Sequence, residues 1–220
     1  MEPLTVQRMT TARIPTDDGE FELALYRNNR DDKEHLAIIY GEVVGQKDVL
    51  VRVHSECFTG DVLGSRRCDC GPQLARARQI IAEEGSGVII YMRQEGRGIG
   101  LLDKLRAYNL QDEGYDTVEA NVMLGHQPDE RDYTITALIL QDLGIGRIRL
   151  LTNNPAKIDA LTGLGITVVK RVPLETPVTA DNANYLRTKA SRMDHLLSID
   201  SLRDFRAPSN GSGHAQAAHD

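Results

Sequence analysis

Residues 72–93, PQLARARQIIAEEGSGVIIYMR, hold one complete helix-to-strand unit. Leu74, Ala77, Ile80 and Ile81 recur at helical spacing, Pro72 suits the opening turn and Gly85 the stop. The run GVIIYMR (87–93) that follows is short and apolar, which predicts a buried strand. The alternation continues in both directions. Upstream, HLAIIYGEV (35–43) and DVLVRVHSE (48–56) are β-branched and turn-bounded, so two more strands are expected. Downstream, GLLDKLRAYNLQDEG (100–114) predicts a helix ending near Gly114. Then come a helix over 131–144, a strand over RIRLLT (147–152), a helix over PAKIDALTGLG (155–165) and a strand over ITVVKRV (166–172). Such alternation implies an α/β fold: a mixed, partly parallel sheet flanked by helices. A last helix around 182–198 is expected to dock on this body. With no internal repeat and no linker, one compact domain over 1–206 is expected. The polar, Gly/Ser-rich segment 207–220, APSNGSGHAQAAHD, is expected to be a disordered tail.

The 220-residue chain is long enough to bury a real core, and its 40% hydrophobic and 26% charged residues suit a soluble globular protein. A formal net charge of −6 gives no support to a nucleic-acid or membrane-surface partner, although a pocket can be basic inside an acidic protein. No apolar run approaches the roughly 18 residues that span a bilayer. The N-terminal MEPLTVQRMTTARIP lacks the apolar stretch of a signal peptide. The chain has three cysteines, an odd and clustered set that argues against a secreted disulfide framework. A cytoplasmic location is expected.

All three cysteines fall in one stretch, Cys57-x10-Cys68-x-Cys70. Thiolates at this density favour zinc among the abundant divalent ions. Three protein ligands would leave a fourth tetrahedral position for water, as in catalytic sites; His54 or a carboxylate as fourth ligand would instead close a structural site. Spacing alone leaves both open. RQEGRGIG (93–100) follows a strand and opens a helix, so its glycines and Arg97 could hold an anion, with Glu95 accepting from a base edge. It is not the dinucleotide fingerprint, because Gly96, Gly98 and Gly100 alternate. No GxxxxGK[ST] occurs, which disfavours a P-loop nucleotidase. In LLTNNPAK (150–157), Asn154 can cap the helix and Pro155 can open it. Lys157 then sits in the first turn, where a bound phosphate would offset the unfavourable dipole; a solvated lysine is the plainer alternative. Thr152 ends a strand, where open α/β sheets place ligands. Asp129 could cap a helix or act as a base beside Arg131. Tyr108 would by default be a half-buried helix residue.

Four ordered stretches carry a resemblance: 52–71, RVHSECFTGDVLGSRRCDCG; 93–121, RQEGRGIGLLDKLRAYNLQDEGYDTVEAN; DERDY (129–133); and LLTNNPAK. Together they resemble GTP cyclohydrolase II, the entry enzyme of riboflavin biosynthesis. The resemblance implies a homodimer that hydrolyses GTP to formate, pyrophosphate and 2,5-diamino-6-ribosylamino-4(3H)-pyrimidinone 5′-phosphate, using Zn2+ and Mg2+. By the same resemblance Cys57, Cys68 and Cys70 hold one zinc, which favours the open site. Arg52, Val53, His54, Ser55, Glu56, Gln73, Glu95, Gly96, Arg97, Thr117, Thr152 and Lys157 match GTP-binding positions. Asp129 matches the proton acceptor and Arg131 the residue assigned as nucleophile. A guanidinium is always protonated and has no lone pair for phosphorus, so chemistry favours Arg131 as a clamp unless Asp129 removes its proton. Zinc lowers the pKa of bound water toward about 7, and guanine carbon 8, between two ring nitrogens, is the matching electrophile. Breaking the resulting formamide needs a proton donor, and Tyr108 is the candidate. Many family members carry a fused upstream synthase domain, which is not expected here. The rivals are a related ring-opening enzyme that releases the formylated product, a zinc-stabilised nucleic-acid-binding module, and a nicotinamide oxidoreductase built on GRGIG.

Overall fold

The computed structural model describes residues 2–127, 129–179, 181–192 and 194–197. The expected boundary at 206 and the tail beyond it lie outside these residues. One sheet of seven strands runs in the order β1-β2-β3-β5-β4-β6-β7. The strands are β1 (Val6–Thr16), β2 (Gly19–Asn28), β3 (His35–Tyr40), β4 (Val49–Ser55), β5 (Gly87–Met92), β6 (Arg147–Leu151) and β7 (Thr167–Val172). The helices are α1 (Phe58–Asp61), α2 (Cys70–Glu84), α3 (Gly100–Asp112), α4 (Thr117–Met123), α5 (Thr134–Asp142), α6 (Pro155–Gly163) and α7 (Ala183–Arg192).

The sheet has two halves. β1, β2, β3 and β5 pair antiparallel in a meander-like edge. β5, β4, β6 and β7 are parallel, joined by helical crossovers. The mixed, partly parallel sheet expected from the sequence is therefore present. The chain leaves β4 for β5 on one side and later returns to β6 on the other. The carboxyl ends of β4, β5 and β6 thus surround the point where strand order reverses, the place where open α/β sheets bind ligands.

Period-2 alternation decides what each face of β4 meets. Val49, Val51 and Val53 enter one core with Val88, Ile90, Ile148 and Leu150. Leu50 enters the second core with Ile81, Ile89 and Leu151 beneath α2. Arg52 and His54 continue that second face toward the strand ends. The strands expected from 35 to 172 all form, four with boundaries within a residue of those expected, while β3 stops at Tyr40 rather than running on to 43. β1 and β2 were not anticipated. Most of β1 is exposed on both faces, so it carries no alternating apolar pattern; its signal is the ladder that it forms with β2. The helix expected from residue 131 begins only at Thr134, since Asp132 turns its carboxylate to the Thr134 amide at 2.8 Å. α2 starts two residues before Pro72 and so takes Cys70 into its first turn. α7 does pack on the body, burying Ala183 and Leu186. Among the described residues no helix is long and apolar enough to cross a membrane.

Ile81, 0% exposed, is the keystone between α2 and the sheet. Ile81→Ala should cost about 2–5 kcal/mol by chemical denaturation; a loss below about 1 kcal/mol would show that the second core collapses around the gap.

Candidate active site

The cleft at the switch point gathers residues from every segment that crosses it. Arg52 and His54 on β4, Ser55, Glu56 and Cys57 just after it, and Gln73 on α2 line one wall. Glu95, Gly96 and Arg97 follow β5, Tyr108 sits on α3, Thr117 opens α4, and Arg131, Thr152 and Lys157 complete the lining with Cys68 and Cys70. Two expected residues stand apart. Val53 faces the opposite core, and only its carbonyl reaches the site, accepting from Lys157 Nζ at 2.8 Å. Asp129 meets the cleft through Arg131.

Cys57, Cys68 and Cys70 place their sulfurs within 4.8 Å of one another, with Cys57 and Cys68 3.6 Å apart. Thiolates around tetrahedral zinc at about 2.3 Å stand about 3.8 Å apart, so this donor set fits that ion. Charge argues the same way. Hydrogen bonds with Cys68 and Cys70, aided by Lys104, push the Cys57 thiol far below its usual range. The same bond to Cys57 pushes Cys68 up to about 11, and bonds to Cys57 and Cys68 raise Cys70 well above its usual range. Three crowded sulfurs cannot all be anionic unless a cation sits among them. The cradle is made by glycine. A Cβ on Gly60 would lie 3.0–3.1 Å from the Cys57 and Cys68 sulfurs, and one on Gly71 would lie 2.3 Å from the Gly60 carbonyl oxygen. α1 therefore packs backbone to backbone on the start of α2.

His54, weighed above as a fourth ligand, is turned elsewhere. Its Nε2 lies 3.0 and 3.1 Å from the two oxygens of Asp61. Asp61 also accepts from Tyr91 Oη at 2.8 Å and from the Cys57 amide at 3.0 Å. Burial keeps His54 neutral, against the pull of Asp61. Since a carboxylate only accepts, the imidazole proton belongs on Nε2.

The loop after β5 holds its shape through left-handed backbone at Gly96 (φ 62) and Arg97 (φ 63). The Arg97 carbonyl accepts from the Glu130 amide at 3.0 Å, which docks the loop against the segment carrying Asp129 and Arg131. Both terminal nitrogens of Arg97 are buried without a hydrogen-bond partner. Glu95, expected to meet a base edge, lines the cleft and accepts from the Phe58 and Gly96 amides and from Lys104.

Cations dominate the other end. Arg52 donates to Gln73 Oε1 at 2.6 Å and the Leu151 carbonyl at 3.0 Å. Burial, partly offset by Asp69, lowers it to about 10. Lys157 is 5% exposed, which replaces the solvated-lysine alternative. Burial, with Arg52, Arg131 and Lys189 nearby, holds its ammonium well below the usual lysine range. Asn154 caps α6 as expected, accepting from the Ala156 amide at 3.0 Å. Asp129 does not cap α5; it grips Arg131 through both its oxygens and takes the Arg131 amide at 3.1 Å. Although burial opposes both charges, that fork holds Asp129 below its usual range and Arg131 above it, so Arg131 keeps its proton. Tyr108 Oη lies 3.3 Å from Thr59 Oγ1, and burial raises its pKa, so the phenol stays protonated.

Sequence reasoning missed Lys104, Lys189 and Asp61. Lys104 was within reach, since it lies one helical turn before Tyr108 on α3. Lys189 was not: its partner Asp69, at 2.6 Å, is 120 residues away.

A family model described as GTP cyclohydrolase II matches residues 7–173. The chain is 57% identical over 194 residues to the riboflavin biosynthesis protein RibBA of Bacillus cereus, covering 88% of this chain and 49% of that one. It is 58% identical over 186 residues to RibBA of Bacillus cytotoxicus, covering 84% and 47%. It thus spans about half the length of the curated relatives it matches. A solved structure from A. baumannii, RibBX, described as a two-domain 3,4-dihydroxy-2-butanone 4-phosphate synthase, shares 26% identity at a TM-score of 0.46, over 78% of this chain and 41% of that one.

Two outcomes follow from the geometry. Cys68→Ser should lose bound zinc, measured by metal analysis after dialysis, because a neutral hydroxyl is a poor ligand; stoichiometric zinc in that variant would remove Cys68 from the site. Lys157 has a folded pKa below its unfolded one, so the unfolded chain binds more protons between the two values and stability rises with pH across that window. Below it, the buried charge is a cost. Lys157→Met should therefore melt no lower than the parent at pH 7 without ligand, and should flatten that alkaline rise; a clear drop in melting temperature would make Lys157 structural.

Proposed function

The chain belongs to the GTP cyclohydrolase II family, and from that premise we propose that it hydrolyses GTP, releasing formate and pyrophosphate and leaving 2,5-diamino-6-ribosylamino-4(3H)-pyrimidinone 5′-phosphate for riboflavin synthesis. One observation carries the reading: a three-thiol metal site shares its cleft with buried cations, among them an arginine whose terminal nitrogens are unpartnered. Cys57, Cys68 and Cys70 would hold zinc, which would supply Lewis acidity and lower the pKa of a water used against guanine carbon 8.

The protein's own groups do the rest. Arg97, Arg131 and Lys157 bind the triphosphate, which arrives with Mg2+, and bear the charge that develops as pyrophosphate leaves. Arg131 acts as a guanidinium clamp oriented by Asp129; the Asp129 carboxylate, already engaged by that guanidinium, is a weak base. Arg52, Gln73, Thr117 and Thr152 shape the pocket, with the segment 52–56 supplying one wall. Tyr108 Oη gives its proton to the departing ring amine as the formamide breaks. We also propose a homodimer in the cytoplasm. Val62, Leu63 and Leu102 are each more than 60% exposed, apolar side chains of the kind that a second copy would cover, and the free thiols suit a reducing compartment.

The zinc-loaded protein incubated with GTP should release formate and pyrophosphate; no formate from protein carrying stoichiometric zinc would overturn the reading. Tyr108→Phe should still consume GTP but accumulate the ring-opened, formylated product by mass spectrometry. A normal formate yield per GTP would leave Tyr108 as packing.

A further inference from the structure

Lys104 is 9% exposed on the inner face of α3, and its ammonium has two partners. Nζ donates to Cys57 Sγ at 3.0 Å and to Glu95 Oε1 at 2.7 Å. The carboxylate is itself fixed, because Glu95 Oε2 accepts from the Phe58 amide at 2.6 Å and Oε1 from the Gly96 amide at 2.7 Å. The Phe58 amide adjoins Cys57 in the chain. Glu95 thus ties the backbone beside one thiol and the ammonium that touches its sulfur. An ion pair alone would satisfy Lys104 and Glu95; it would not require the ammonium to reach the sulfur. Cys57 takes a further outer contact, from Thr59 Oγ1 at 3.7 Å.

Three thiolates donate much electron density to a divalent ion and so blunt its acidity. A charged N–H donor on one sulfur draws some of that density back, and partners of this kind orient ligands and tune the ion. We propose that Lys104 is a positioning residue of the metal site. Aimed by Glu95, its ammonium fixes Cys57 Sγ and withdraws density from it, so that an ion held by three thiolates remains acidic enough for hydrolysis. The inference rests on the reading that these thiols hold a metal.

Cobalt(II) bound by the full chain reports the sulfur directly, through its thiolate-to-cobalt charge-transfer band. Lys104→Met should move that band to lower energy, while Lys104→Arg should keep it near the parent position. Glu95→Gln, which leaves the ammonium in place, should move it less than Lys104→Met does. If Lys104→Met misfolds because Glu95 is left buried without a cation, Lys104→Met combined with Glu95→Gln carries the same test. With zinc stoichiometric, Lys104→Met should also lower turnover about 10- to 100-fold at an unchanged Michaelis constant for GTP. An unmoved band in a cobalt-loaded Lys104→Met protein, single or double, would overturn the proposal. A raised Michaelis constant with an unmoved band would make Lys104 a substrate contact instead. A band that shifts in a protein inactive on GTP would uphold Lys104 and sink the substrate reading.

Discussion

β4 is hydrogen-bonded to a parallel strand on each side, and the rest of the architecture follows from that pairing. A parallel strand needs a covered face above and below, so β4 must be apolar where the cores are and can be polar only past their edge. Its sequence obeys this rule. Three valines serve one face; the other changes from Leu50 to Arg52 and His54 where the second core ends. The same pairing brings the ends of β4, β5 and β6 together. The loops that leave them have nowhere to run except around a common cleft.

The half of the fold that buries both sheet faces was the half legible in the sequence. β3 to β6 carry apolar runs between turn residues, and local composition is enough to find them; β7, exposed or half-buried along its length, is legible from its β-branched residues instead. β1 escaped because strand pairing holds it more than burial does, and pairing leaves little trace in a polar sequence; β2 does bury Ala24 and Tyr26, and its run FELALY carried a signal that sequence reasoning missed. The site shows a similar division. Residues inside compact motifs, such as the three thiols or Arg97, could be singled out from spacing and glycine content. Asp129 could not be separated from a helix cap, because capping and pairing both ask for a carboxylate near a helix start; the structure spends it on Arg131 and gives the Thr134 amide to Asp132. Lys189 depends on a contact between chain segments that no local pattern encodes.

The cleft's two ends solve opposite electrostatic problems. At the sulfur end, thiol groups crowd together, and the Lys104 ammonium on Cys57 Sγ is one partial answer to the charge they would carry. At the other end burial lowers Arg52 and Lys157, and the neighbouring cations, Arg131 beside both and Arg52 and Lys189 beside Lys157, lower them further, while Asp69 beside Arg52 and Asp129 beside Lys157 offset only part of that. Such an arrangement is costly in an empty protein and favourable around a polyanion, a familiar trade between stability and function.

The ion pair between Lys189 and Asp69 spans 120 residues, which has a consequence during synthesis. At roughly 5–20 residues per second, a ribosome that has made Asp69 needs about 6–24 s more to make Lys189. By then the three thiols, Glu95 and Lys104 have long been present in the nascent chain. The thiols and Lys104 can therefore meet early, and the cleft is completed only when α7 arrives with its lysine. Until then Asp69, set between two of the cysteines, lacks the lysine that neutralises it.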